Sequence, residues 1–172
     1  NTGSSTINNV ERIDMLIEGG VISPDATKGG FLLNERSGND GAVIAAITSV
    51  DVNGEVDGLG TLLTISSSDW AGTGKSIETT VFQRTSSDAE MRPSQDLSSQ
   101  EISVVFVTFD DLGINDNERI YGFSIFPSDV LSSMDLIGLS DVPLDTDGST
   151  DGGLDLMGGG GFYASENIDV VD

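Results

Sequence analysis

The stretch that most constrains this chain is residues 101–126, EISVVFVTFDDLGINDNERIYGFSIF. Two runs rich in β-branched and aromatic residues flank an Asp/Asn/Gly-rich connection. Successive side chains of a strand point to opposite faces. Ile102, Val104, Phe106 and Thr108 therefore share one face, and Ser103, Val105, Val107 and Phe109 the other. Apolar groups on both faces predict a central strand covered on each side, or one that changes partners along its length. In the second run Tyr121, Phe123 and Ile125 form an aromatic and aliphatic face, alternating with Ile120, Gly122, Ser124 and Phe126. With residues 110–118 as the turn, the two runs read as a long β-hairpin at the centre of an all-β domain.

The remaining strands are expected around that hairpin. Residues 10–18 alternate Ile13, Met15 and Ile17 with Arg12, Asp14, Leu16 and Glu18, and Gly19-Gly20 ends the run. A short strand at 31–33 follows, and then 42–50, whose AVIAAI run suits a buried strand. Residues 59–67 form a strand with Leu63 and Ile65 facing inward, and 76–84 form another. Residues 85–100 are polar and long enough to cross from one sheet to another. Pro127-Ser128-Asp129 can cap one short helix near 128–137, through Leu131, Met134 and Leu136. Short strands at 154–157 and 162–164 are expected around the Gly158–Gly161 run. Strands at this spacing predict an all-β, two-sheet, jelly-roll-like sandwich. It is read as a single domain over 1–172, with a polar segment at 1–9 and a Gly/Asp-rich one at 138–172.

Composition removes several function classes. The 172 residues include 29 acidic and 7 basic side chains, a formal charge of −22. Such a field repels nucleic-acid phosphates and anionic lipid, and it attracts divalent cations. There is no cysteine and no histidine. Disulfides, thiolate metal sites, Ser-His-Asp and Cys-His catalysis and His-ligated metals are therefore excluded. No run of about eighteen apolar residues exists, so no spanning helix is expected. The chain opens on Asn1 rather than Met, which suggests a segment processed or excised on export.

Two motifs dissolve on inspection. AGTGKS at 71–76 ends like a phosphate-binding loop, but Asp69 stands where the first glycine belongs and a strand follows, so it reads as a strand-connecting turn. DTDGS at 145–149 resembles an aspartic-protease loop, but Asp147 interrupts it and no second copy supplies a partner carboxylate. The best metal candidate is Asp145, Asp147, Ser149, Asp151 and Asp155. From Asp147 the D-x-S-x-D-G spacing matches the first half of a calcium loop, with Gly152 at the sharp turn. The glutamate of the twelfth place is missing, since that residue is Gly158. Weaker clusters are Asp51, Asn53, Glu55 and Asp57, and Asp110-Asp111 with residues 115–118. The plainer reading is that Asp, Asn and Gly make turns. Trp70, Phe82, Tyr121 and Tyr163 could stack on a sugar ring, with Trp70 and Tyr121 the ligand candidates; the commoner fate of such rings is the core. No carboxylate pair stands out for glycoside hydrolysis among so many.

At IYGFSIFPSDV (120–130), GGLDLMGGGGFYAS (152–165) and the segment 12–54 the chain resembles β-sandwich domains of large secreted or surface-attached proteins of Bacteroidetes-like bacteria. That resemblance implies export, a sandwich and a non-enzymatic surface role. The resulting expectation is an extracellular structural or adhesive module of a pilus-like filament or adhesin. It would assemble with copies of itself or neighbouring modules through sheet-edge pairing, with calcium as stiffener. A terminal segment at 7–17 or 168–171 would add a strand to the next copy. The alternative is a carbohydrate-binding module recognising glycans, and last a carboxylate-dependent glycoside hydrolase.

Overall fold

The computed structural model describes residues 12–84, 91–140, 142, 158–164 and 169–170. Among these there is no helix. Ten strands run in chain order: β1 Ile13–Ile22, β2 Gly29–Arg36, β3 Ala42–Val50, β4 Val56–Leu59, β5 Leu63–Ile65, β6 Ala71–Arg84, β7 Met91–Thr108, β8 Arg119–Pro127, β9 Gly158–Ala164 and β10 Asp169–Val170. They form two antiparallel sheets. The first is ordered β10-β1-β8-β3-β4, with β5 also on β3, and the second β6-β7-β2-β9. The all-β two-sheet sandwich expected from the sequence is the observed architecture.

The two runs of residues 101–126 do not form a hairpin. β7 pairs with β2 and β6 in one sheet, and β8 with β1 and β3 in the other. Residues 109–118 are the crossing between sheets. Hairpin turns are short and exposed; this connection buries Phe109, Leu112 and Ile114 in the core between the sheets. Its backbone is tied to the β1–β2 corner, where Phe109 N donates to Gly29 O and Asn117 N donates to Ser23 O. Asp116 closes the same corner by accepting from Ala26 N at 2.8 Å. Conversely, of the polar stretch 85–100 expected to cross between sheets, the described residues 91–100 are strand. Met91 pairs with Arg84, so β6 and β7 are the arms of the long hairpin.

The core explains the strand patterns. Phe31 and Leu33 of β2 and Val107 of β7 face Ile44 of β3 and Phe123 and Ile125 of β8. β3 is apolar on both sides because both sides are covered. Ala42, Ile44 and Ala46 belong to the central core, while Val43 and Ala45 pack with Phe126, Val130 and Val142. The lid on that second face is formed by residues 128–140 and Val142, where a short helix near 128–137 is expected from the sequence. It is a chain of turns, with Val130 N on Pro127 O and Met134 N on Leu131 O. Starting a helix is costly, and Asp and Ser side chains offer the backbone other partners. Here Asp135 accepts from Gly138 N and from Ser140 Oγ. Met134 and Leu136 still pack on the second core, and Arg12 clamps the segment to β1 through Leu136 O and Ile137 O.

The face assigned to Tyr121, Phe123 and Ile125 switches at Gly122. Ile120, Phe123 and Ile125 are in the core, whereas Tyr121 is half-buried outside it. Gly122 has φ 125°, and on β1 four residues (17–20) separate the partners of Gly122 and Ile120. Strict alternation therefore fails at this one residue. Gly19-Gly20 likewise loops within β1 rather than ending it, with φ 75° and 81°.

Candidate functional site

Asp145, Asp147, Ser149, Asp151 and Asp155, the calcium candidates, lie outside the described residues, as does the expected strand at 154–157. Among the described residues no group of three or more acidic side chains is arranged to hold a metal ion. The two weaker clusters show why. Asp51 accepts from the backbone N–H of Glu55 and of Asn53 and from Asn53 Nδ2, which together hold its carboxyl below the ordinary aspartate range. Glu118 accepts from Asn115 N and Nδ2, with the same effect. Asp111 accepts from Thr108 N and Oγ1. These carboxylates close turns, and their lone pairs are spent on the chain itself.

The ligand candidates Trp70 and Tyr121 are both half-buried and lie apart: Trp70 stands just before the edge strand β6 of one sheet, and Tyr121 on β8, an interior strand of the other. The Trp70 ring packs against the central core, and its Nε1 donates to Asp40 O at 2.7 Å. Beside it lies the one buried carboxylate among the described residues, Glu35, which pairs in register with Ser103 and accepts from Gly38 N. Gly38, with φ 66°, sits so close to Ser103 and Trp70 that a Cβ there would crowd both. Trp70 thus closes one end of the sandwich. No second buried carboxylate stands near Glu35 among the described residues. The AGTGKS stretch lies inside β6, where two extra residues at 73–75 bulge the strand, rather than in a turn between strands.

What the described residues do present is sheet edge. β10 covers only Val21 and Ile22 of the ten-residue β1. Over Ile13 to Gly20 the side of β1 opposite β8 has no partner strand among the described residues, and Leu16 is 51% exposed there. At the other sheet's margin β6 is the terminal strand. Sheet edges of this kind are templates for a further strand. Sequence reasoning pointed to edge pairing but not to these edges, because an edge is defined by topology and the topology turned on the 109–118 crossing.

The fold defines the class: an antiparallel β-sandwich of two sheets. No protein family matches the chain, and neither a curated protein nor a solved structure does.

Proposed function

We propose that this chain is an extracellular structural or adhesive module that assembles by strand pairing across sheet edges. The observation that supports it is β1. Ten residues long, it is paired on one side by β8 at 13–16 and 21–22, and on the other, among the described residues, by β10 at Val21 and Ile22 alone. In this reading β10 is the strand that moves. Two residue pairs hold it to its own β1, so transfer of segment 168–171 to the β1 of the next copy costs little and repeats head to tail. A head-to-tail contact generates a fibre unless its rotation closes it into a ring. The absence of cysteine and histidine and the charge of −22 agree with a cohesive role outside the cell, with calcium on the Asp145–Asp155 stretch as the stiffening cation.

The test places cysteines at the register partners Val21 and Val170, in a chain that otherwise has none. Exchange between copies gives a ladder of disulfide-linked oligomers on a non-reducing gel. Closure within single chains gives a monomer band alone and refutes exchange.

A further inference from the structure

The edge strand β6 extends past β2 along β7. Its register with β7 runs from Ala71 opposite Val104 to Arg84 opposite Met91, while β2 leaves β7 at Ile102. Beyond that point β6 and β7 continue as a two-stranded ribbon among the described residues. The part of β6 from Ser76 to Arg84 is about 30 Å long. A bare two-stranded ribbon is marginal in water, so this one is expected to gain from a further strand.

The two sides of the ribbon differ. Beyond Ser76 the register shifts fall as extra residues on β7, between Gln100 and Leu97 and between Gln95 and Pro93. β6 itself runs without interruption from Ser76 to Arg84. Edge strands are ordinarily protected by proline, lysine or a bulge. On β6 the bulge and Lys75 both lie below Ser76, and SIETTVFQR contains neither proline nor lysine. Ile77, Thr79, Thr80, Val81 and Phe82 are all strand formers. Among the described residues no further strand pairs with its outer margin.

Charge selects the occupant. Two copies of a chain carrying −22 repel, so a contact between copies is favoured where charge cancels locally. Within Ser76–Arg84 the charged residues are Glu78 and Arg84, standing symmetrically three residues either side of Val81. An antiparallel pairing of this segment with itself, centred on Val81, sets Glu78 opposite Arg84 of the second copy, and Arg84 opposite Glu78. Thr79 then faces Gln83, and Thr80 faces Phe82. No like charges meet. Glu78 is exposed, as the contact requires.

We infer that β6 pairs antiparallel with β6 of a second copy about a two-fold axis at Val81, joining two sandwiches into one continuous sheet. The inference rests on the reading of the chain as an edge-assembling module and adds a second, symmetric contact to the head-to-tail one at β1.

Because the chain lacks cysteine, Val81→Cys reports the axis directly. Residues directly opposite across an antiparallel pair have Cα atoms about 4.5–5.5 Å apart, within the span of a disulfide. Val81→Cys should give a disulfide-linked dimer under mild oxidation, and Thr79→Cys, which faces Gln83, should link far more slowly. Glu78→Arg or Arg84→Glu alone should weaken dimerisation about tenfold, since two cross-strand pairs become repulsive. The double reversal should restore it. Circular dichroism of each variant, matched to the wild type, separates lost assembly from lost fold. Wild-type protein that sediments as a monomer, Thr79→Cys linking as fast as Val81→Cys, or a double reversal that restores nothing would each overturn the inference. Fibres that form while Val81→Cys stays unlinked reject this contact and leave β10 exchange standing. Dimers linked at Val81 that grow no further do the opposite.

Discussion

Phe31 of β2 and Phe123 of β8 meet across the sandwich, with ring centroids 4.4 Å apart and planes tilted by 43°. Each comes from a different sheet, and both are buried. Phe109, from the crossing segment, packs edge-on against the same Phe31 ring at 5.2 Å. These three rings fasten the sheets together. Replacing Phe31 or Phe123 by alanine should each cost about 3–5 kcal/mol of unfolding free energy. The double mutant should recover roughly 0.5–1.5 kcal/mol of the summed loss, because the ring–ring term is counted once. Urea unfolding of the four proteins measures both quantities.

Gly122 lets β8 change which residues face the core. Its φ of 125° suits glycine alone, and a Cβ there would overlap the Met15 carbonyl oxygen on β1. Gly122→Ala should destabilise the fold by about 1–3 kcal/mol, with the loss centred on the β1–β8 pairing. Hydrogen exchange should show faster opening of Met15 and Leu16 amides than of those in β3. Equal protection throughout would assign no special role to the glycine.

These two sites also mark what the sequence could and could not reveal. β3 was legible to the residue, since a continuous AVIAAI run needs cover on both faces and the segment 128–142 supplies it. The sandwich was legible from strand spacing. Connectivity was not, because local alternation is the same in a hairpin arm and in a strand that crosses to the other sheet. The signal that would have separated them was the apolar triplet Phe109, Leu112 and Ile114 inside an otherwise polar loop. Gly122 was hidden for a different reason: a parity switch needs a positive φ, and period-two counting assumes none. The open edges of β1 and β6 follow from topology and so could only be anticipated in kind.

Turn carboxylates lend the fold stability that acid removes. Asp25, Asp51, Asp69, Glu118 and Asp135 are all held below their ordinary values of 3.8 for aspartate and 4.5 for glutamate by hydrogen bonds to the ionised form. A depressed folded value stabilises the fold above the unfolded value, and the contribution is lost as pH falls through the folded one. Their share is therefore complete at neutral pH and disappears below about pH 4. Asp51→Asn should be less stable than wild type at pH 7, with the gap closing on acidification to pH 3. A gap that is the same at both values would show that charge at Asp51 is irrelevant to its turn.

Calcium should act through residues 145–155. If that stretch binds the ion only in the folded chain, a calcium concentration a hundredfold above the dissociation constant adds about 2.7 kcal/mol of stability. The melting temperature should rise with calcium and fall back with chelator. Asp147→Asn together with Asp151→Asn should abolish the response while leaving the calcium-free melting temperature near that of wild type. A calcium response that survives both substitutions would move the site elsewhere.

Assembly is tested most directly by sedimentation velocity over a range of concentrations, followed by negative-stain electron microscopy of the same samples. An edge-pairing module gives a weight-average mass that climbs with concentration and filaments on the grid. It loses the filaments when residues 168–172, which include β10, are removed. A mass fixed at that of one chain at every concentration, with only isolated particles on the grid, would contradict the account.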